Sequence, residues 1–255
     1  MIRVALVVLT LMAPAAAYAE MRLPAGFTAE VYVTGRGEAP DGRAAIGIPS
    51  TTSLAFDAAG ALYATRTGRR YRGGEIEDLW PVLRFPPGGA RVGGDVSRYF
   101  YGPPLLNAQL GAARGQELLL TTFDRDRGLG VLYRVLDGRA ELLAGGTPPP
   151  GEPPLFKQPE GVAIDGAGNV YVADRHNTRI LALAADGGTI EVATFTDGDA
   201  PRTLAWAPTT DATRRAGIAG DLFVVVTRRG TWSLNEIVRI SGPFDELMRT
   251  GSPAR

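Results

Sequence analysis

The sequence predicts an all-β chain built from repeated four-stranded units, and three observations carry that prediction. Short runs rich in β-branched and aromatic residues alternate with glycine turns, as in Val162-Ala163-Ile164-Asp165, Gly166 to Asn169, and Val170-Tyr171-Val172-Ala173. Leu54-Ala55-Phe56-Asp57 and Leu62-Tyr63-Ala64-Thr65 repeat those two runs at one common offset of 108 residues. Two further copies start at Leu110 and at Leu204-Ala205-Trp206, so the starts fall 56, 52 and 42 residues apart. Repeats of this length, each a set of short antiparallel strands, describe a β-propeller with four blades visible; a ring of five or six blades is the alternative.

The first nineteen residues stand apart from the repeats. Arg3 precedes the apolar run Val4 to Met12, and Ala17-Tyr18-Ala19 offers a small-x-small cleavage site before Glu20. This pattern predicts a signal peptide over 1–19, a single propeller domain over 20–255, and export to the periplasm or beyond. No later stretch is long and apolar enough to span a membrane.

Within the domain, the first expected strand is Thr28-Ala29-Glu30-Val31-Tyr32-Val33. The repeats then supply first and second strands as above, with Leu118-Leu119-Leu120-Thr121 and Leu222-Phe223-Val224-Val225 as second strands of the second and fourth copies. Third strands are Leu83-Arg84-Phe85, Tyr133-Arg134-Val135, Leu181-Ala182-Leu183 and Val238-Arg239-Ile240, three of them setting Arg between apolar neighbours to face solvent. Outer strands follow at Ala140 to Leu143 and Thr189 to Val192, but not after the fourth copy, where Pro243 to Met248 reads as a helical turn. The N-terminal strand is therefore expected to complete the fourth blade and close the ring, which removes exposed sheet edges. Thr209 to Ile218 reads as a mobile loop on the opposite face from the site discussed below.

Pro159 to Leu183, PEGVAIDGAGNVYVADRHNTRILAL, resembles one NHL repeat almost position by position. The resemblance implies a propeller and leaves function open, because NHL propellers include binding modules, lyases and lactonases. Leu23-Pro24-Ala25-Gly26-Phe27 with Glu30-Val31-Tyr32 is also similar to the opening of soluble sugar dehydrogenases that use pyrroloquinoline quinone (PQQ). Glu160-Gly161 is similar to the start of the metal-binding strand in gluconolactonase and regucalcin propellers.

Composition narrows the chemistry. Past residue 19 the chain has 26 Lys plus Arg (27 less Arg3) against 27 Asp plus Glu, a balance that gives no drive towards nucleic acid. There is no cysteine, one histidine (His176) and one lysine (Lys157), so disulfides, thiol nucleophiles and thiolate metal sites are excluded. Neither a G-x-S-x-G elbow nor a phosphate-cradling loop is present.

Placed by the repeat alignment, Thr52, Ala108 or Gln109, Glu160 and Arg202 reach the mouth of the central channel, where Glu160 and Arg202 are positioned to pair. The loops joining second to third strands carry Arg66, Arg69, Arg70, Arg72, Arg125, Arg127, Arg175, Arg228 and Arg229, against six acids. Such a crown suits an anionic or sugar-like small molecule or an acidic protein partner, with Trp232 and Phe156 as apolar neighbours. The alternative is an enzyme, either a PQQ-type sugar dehydrogenase relative or a gluconolactonase-like metal-dependent hydrolase, in which His176 is the candidate general base and Glu160 with Asn107 the candidate ligands for calcium or zinc, or for calcium with PQQ. The sequence favours a ligand- or protein-binding propeller without catalysis of its own, because catalytic groups are so few.

Overall fold

In a computed structural model the described residues are 23–34, 51–66, 80–92, 96–184, 187–229 and 235–251. Met1–Tyr32 and Val33–Arg255 form separate compact units. In the first, Leu23–Tyr32 hold a turn, with Phe27 N–H donating to the Pro24 carbonyl at 3.2 Å, and no strand.

The second unit is nearly all-β and holds four propeller blades. It opens with β1 (Val33–Thr34), which pairs in parallel with β5 (Ala90–Arg91). The first blade is β2 (Thr51–Phe56), β3 (Leu62–Arg66), β4 (Trp80–Phe85) and β6 (Phe100–Leu105). The second is β7 (Gln109–Arg114), β8 (Glu117–Asp124), β9 (Leu129–Leu136) and β10 (Arg139–Gly145). The third is β11 (Pro159–Ile164), β12 (Val170–Asp174), β13 (Arg179–Leu183) and β14 (Thr189–Thr194). The fourth is β15 (Ala200–Trp206), β16 (Leu222–Thr227) and β17 (Asn235–Ile240). All neighbouring strands within blades are antiparallel and in sequence order.

The 108-residue repeat holds down to individual hydrogen bonds. Asp57 accepts from the amides of Ala59 and Ala61 at 2.9 Å and from the Tyr63 hydroxyl at 3.0 Å. Asp165 accepts from the amides of Ala167 and Asn169 at 2.9 Å and from the Tyr171 hydroxyl at 3.0 Å. Each carboxylate thus closes the first hairpin of its blade and ties it to the middle strand. Arg84 adds a third-strand lock by donating to the Tyr63 hydroxyl at 2.9 Å, and Arg239 does so by donating to Asp221. The third-strand arginines are therefore cross-strand ties as well as solvent-facing groups.

Three cores separate the four blades, one between each neighbouring pair. Tyr63 and Val82 of the first blade meet Leu110, Leu118 and Leu120 of the second. Leu119, Leu132 and Phe156 meet Val162, Val172 and Leu181 of the third. Ala163, Tyr171 and Ile180 meet Leu204, Leu222 and Val224 of the fourth. Tyr171 stacks on Trp206, and Phe244 from α2 (Phe244–Thr250) meets both edge-on.

Two expectations are corrected. The N-terminal strand does not close the ring: Thr28 to Tyr32 are not a strand, and Val33–Thr34 pairs with Ala90–Arg91 beside the first blade. Among the described residues nothing pairs with the free edge of β17, and the innermost strands touch in the order β2–β7–β11–β15, with no comparable contact from β15 back to β2. The run Thr28 to Val33 has strand propensity, but pairing, not propensity, decides a strand. Second, Thr209 to Ile218 is not a plain loop. It folds as α1 (Asp211–Arg215), started by a capping box in which the Thr210 hydroxyl accepts from the Thr213 amide and Thr213 returns the bond.

Candidate functional site

Each innermost strand is irregular where it enters its sheet. Register shifts fall between Thr51 and Ser53, Leu110 and Ala112, Pro159 and Gly161, and Pro201 and Leu204. A bulge re-aims side chains that a regular pleat would send into the blade. Here the four irregular stretches surround one cavity of about 260 Å³, to which every blade contributes: Ser53, Gln109, Glu160 and Arg202 among its lining.

Glycines let the strands come this close. A Cβ on Gly111 would lie 2.0 Å from Val162 Cβ, and one on Gly161 would lie 2.2 Å from the Arg202 carbonyl oxygen. Polar bonds link neighbouring blades at the same level. Leu110 N–H donates to Ser53 Oγ at 2.7 Å, and the Thr121 hydroxyl donates to the Glu160 carbonyl at 3.1 Å.

Glu160 is the electrostatic centre. Its buried carboxylate accepts from Gln158 Nε2 at 2.7 Å and from Arg175 Nη1 at 3.1 Å, and forms an ion pair with Arg202. The expected Glu160–Arg202 pair is present, and Arg175 joins it. Two guanidinium groups share the one carboxylate, and Arg202 lines the cavity.

The other candidate residues divide clearly. His176 is exposed on a 3-10 turn, Arg175–Asn177, and does not line the cavity. Its pKa lies below the ordinary 6.5, through desolvation first and then the guanidiniums of Arg175 and Arg125. Arg125 is exposed in the neighbouring blade's loop. Arg228 is held by Asp199 and Glu236, so this part of the expected anion-binding crown is already neutralised. Asp174 is not a crown acid: fully buried, it accepts from the amides of Lys157 and Gln158 at 3.1 and 3.0 Å and from Asn177 Nδ2 at 2.6 Å. Arg179 donates to the Leu155 carbonyl at 2.9 Å, so Asp174, Asn177 and Arg179 together pin the proline-rich loop that leads into β11. Phe156 in that loop is buried in a core. Arg69, Arg70 and Trp232, and the side chain of Arg66, lie outside the described residues.

The donor set does not fit calcium or zinc. Glu160 is occupied by cations, and Asn107 is absent from the cavity lining. Asn107 is buried, donates Nδ2 to the Phe123 carbonyl at 3.0 Å and leaves Oδ1 without a bond among the described residues. No group of three or more His, Asp or Glu among the described residues is arranged to hold a metal ion.

Sequence reasoning missed Ser53 and Gln158. The alignment puts Thr52 at the mouth, and its side chain lies outside the described residues; Ser53, beside the register shift in β2, lines the cavity. Nothing in the pattern marks Gln158, whose role depends on the buried Glu160 beside it.

Residues 156–183 match the NHL repeat. No curated protein matches the sequence significantly. Among solved structures, the PQQ-bound aldose sugar dehydrogenase of Streptomyces coelicolor is 17% identical with a TM-score of 0.49, over 73% of this chain and 60% of that one. Virginiamycin B lyase of Staphylococcus aureus is 11% identical with a TM-score of 0.44, over 81% and 62%. A gluconolactonase of Xanthomonas campestris is 16% identical with a TM-score of 0.44, over 73% and 60%. The chain spans about 60% of the length of these structures.

Proposed function

We propose that the chain is an exported NHL-type propeller that binds a small, hydroxylated anion, such as a sugar acid, in the central cavity, without catalysis of its own. One observation carries the reading: Arg202, oriented by an ion pair with the buried Glu160, lines the cavity. Arg202 is the anchor for a carboxylate, because a guanidinium offers a planar fork of donors. Gln109 adds an amide that can donate to or accept from a hydroxyl. Glu160, committed to its cations, is a positioning group for Arg202 rather than a base.

Thermal shift of the purified chain tests this, with gluconate and glucuronate against glucose, calcium, zinc, and PQQ with calcium. At about a hundred times its Kd a ligand adds about 2.7 kcal/mol, which is several degrees in a domain of this size. Stabilisation by a sugar acid, lost in Arg202→Gln, is expected. Stabilisation by calcium or zinc alone, lost in Glu160→Gln, would overturn the reading in favour of a metal-dependent lactonase-like enzyme. A response confined to PQQ with calcium would favour a dehydrogenase instead. Export is tested by fractionation and by an N-terminus beginning at Glu20.

A further inference from the structure

In three of the four blades the third strand sets an arginine opposite the same position of the middle strand: Tyr63 pairs with Arg84, Leu119 with Arg134 and Phe223 with Arg239. Each guanidinium reaches a carboxylate at its blade's first hairpin, Arg84 to Asp57 at 3.9 Å, Arg134 to Glu117 at 3.6 Å, and Arg239 to Asp221. The third blade departs from this rule. Tyr171 pairs with Ala182, and Asp165, the counterpart of Asp57, is bonded by two amides, Asn169 Nδ2 and the Tyr171 hydroxyl, all of them neutral donors. A hairpin carboxylate that elsewhere faces a built-in cation faces none here among the described residues.

A second cavity, of about 630 Å³, opens beside Asp165, at the end of β11 remote from the central cavity. Its lining includes Asp165, Asp245 and Glu246 but no Arg, Lys or His among the described residues, and Trp206 and Phe244 form its apolar side. Asp245 is exposed and Glu246 half-buried, and neither joins an ion pair among the described residues. Burial first, then the charge and hydrogen bond of Asp165, then the charge of Asp245, push the Tyr171 hydroxyl up, so the field at this end of the blade is negative. These carboxylates are not grouped as metal ligands. We infer that this cavity binds a small organic cation, an ammonium or guanidinium on an apolar or planar body, which supplies from outside the charge that the other three blades carry on their third strands. Asp245 and Glu246 accept its charged donors, and the indole of Trp206, held by its stack on Tyr171, gives the aromatic surface that a cation prefers. The site is separate from the central cavity and independent of the reading given for it.

Isothermal titration calorimetry on the whole chain tests this, with agmatine as the probe and magnesium chloride as the control at matched ionic strength. Saturable binding of one agmatine per chain is expected. The double change Asp245→Asn with Glu246→Gln should weaken it by about tenfold or more, the fold-change of one charge-assisted hydrogen bond. Neither acid belongs to a core, so unchanged circular dichroism should confirm that this variant folds. Arg202→Gln should leave agmatine binding as it is in the wild type. Agmatine should also alter the tryptophan fluorescence, and that change should be absent in Trp206→Phe. No saturable binding at millimolar agmatine, a double variant that binds as the wild type does, an equal response to magnesium, or loss of binding in Arg202→Gln would each overturn the site.

Discussion

Asp165 is the residue whose loss should cost most for its size. It accepts from two amides, from Asn169 Nδ2 at 2.7 Å and from the Tyr171 hydroxyl, all in the interior. Asp165→Ala leaves those donors without a partner and should cost about 3 kcal/mol, whereas Tyr171→Phe, which removes one donor, should cost about 1 kcal/mol. Urea denaturation separates the two, and equal costs would remove the carboxylate from its central role. The same hairpin in the first blade shows the electrostatics. Burial pushes Asp57 up, but the Ala61 amide, the Tyr63 hydroxyl and the Ala59 amide outweigh it and hold the group below its ordinary range. Tyr63 is pushed up to about 12, by burial first, against the effect of Arg84. His176 runs the other way from a salt-bridged histidine. Its folded pKa is below 6.5, so the fold favours the neutral ring, and that contribution is present above 6.5 and lost as the pH falls. The melting temperature of the wild type should therefore drop more steeply between about pH 7.5 and about pH 5.5 than that of His176→Gln. Parallel slopes would assign the acid sensitivity to other groups.

At the scale of the strand, the innermost glycines are the constraint. Gly161→Ala places a methyl 2.2 Å from the Arg202 carbonyl, and Gly111→Ala places one 2.0 Å from Val162 Cβ. Both contacts are with backbone or packed core, so each change should cost about 3 kcal/mol or more. Gly166 has open space around its hydrogen and no positive φ, so Gly166→Ala should be neutral or stabilise by up to about 1 kcal/mol. A denaturation series in which all three behaved alike would refute the close approach of β7, β11 and β15. The strands themselves were legible in the sequence, because Tyr63 and Tyr171 repeat with their aspartates at one offset. The outer strand of the first blade was not. Phe100–Leu105 contains Gly102, Pro103 and Pro104, which suppress strand propensity and are tolerated because the strand lies at an edge. The bulges were equally hidden, since a one-residue slip leaves no mark on composition while reversing which side chain faces the cavity.

For the whole molecule, repeat spacing gave four blades and the meeting of Glu160 with Arg202. Closure was beyond it, because whether a distant strand completes a sheet depends on three-dimensional reach rather than on local pattern. The succession of blades, open among the described residues, also governs how the protein comes apart. Each blade is made of strands in sequence order, and among the described residues the innermost strands touch those of neighbouring blades, so stability is approximately a chain of nearest-neighbour couplings. Among the described residues the second and third blades have a blade on each side, the first and fourth on one. Amide hydrogen exchange should accordingly be slowest in β8 and β12 and progressively faster towards β3 and β16, as partial openings begin at the ends.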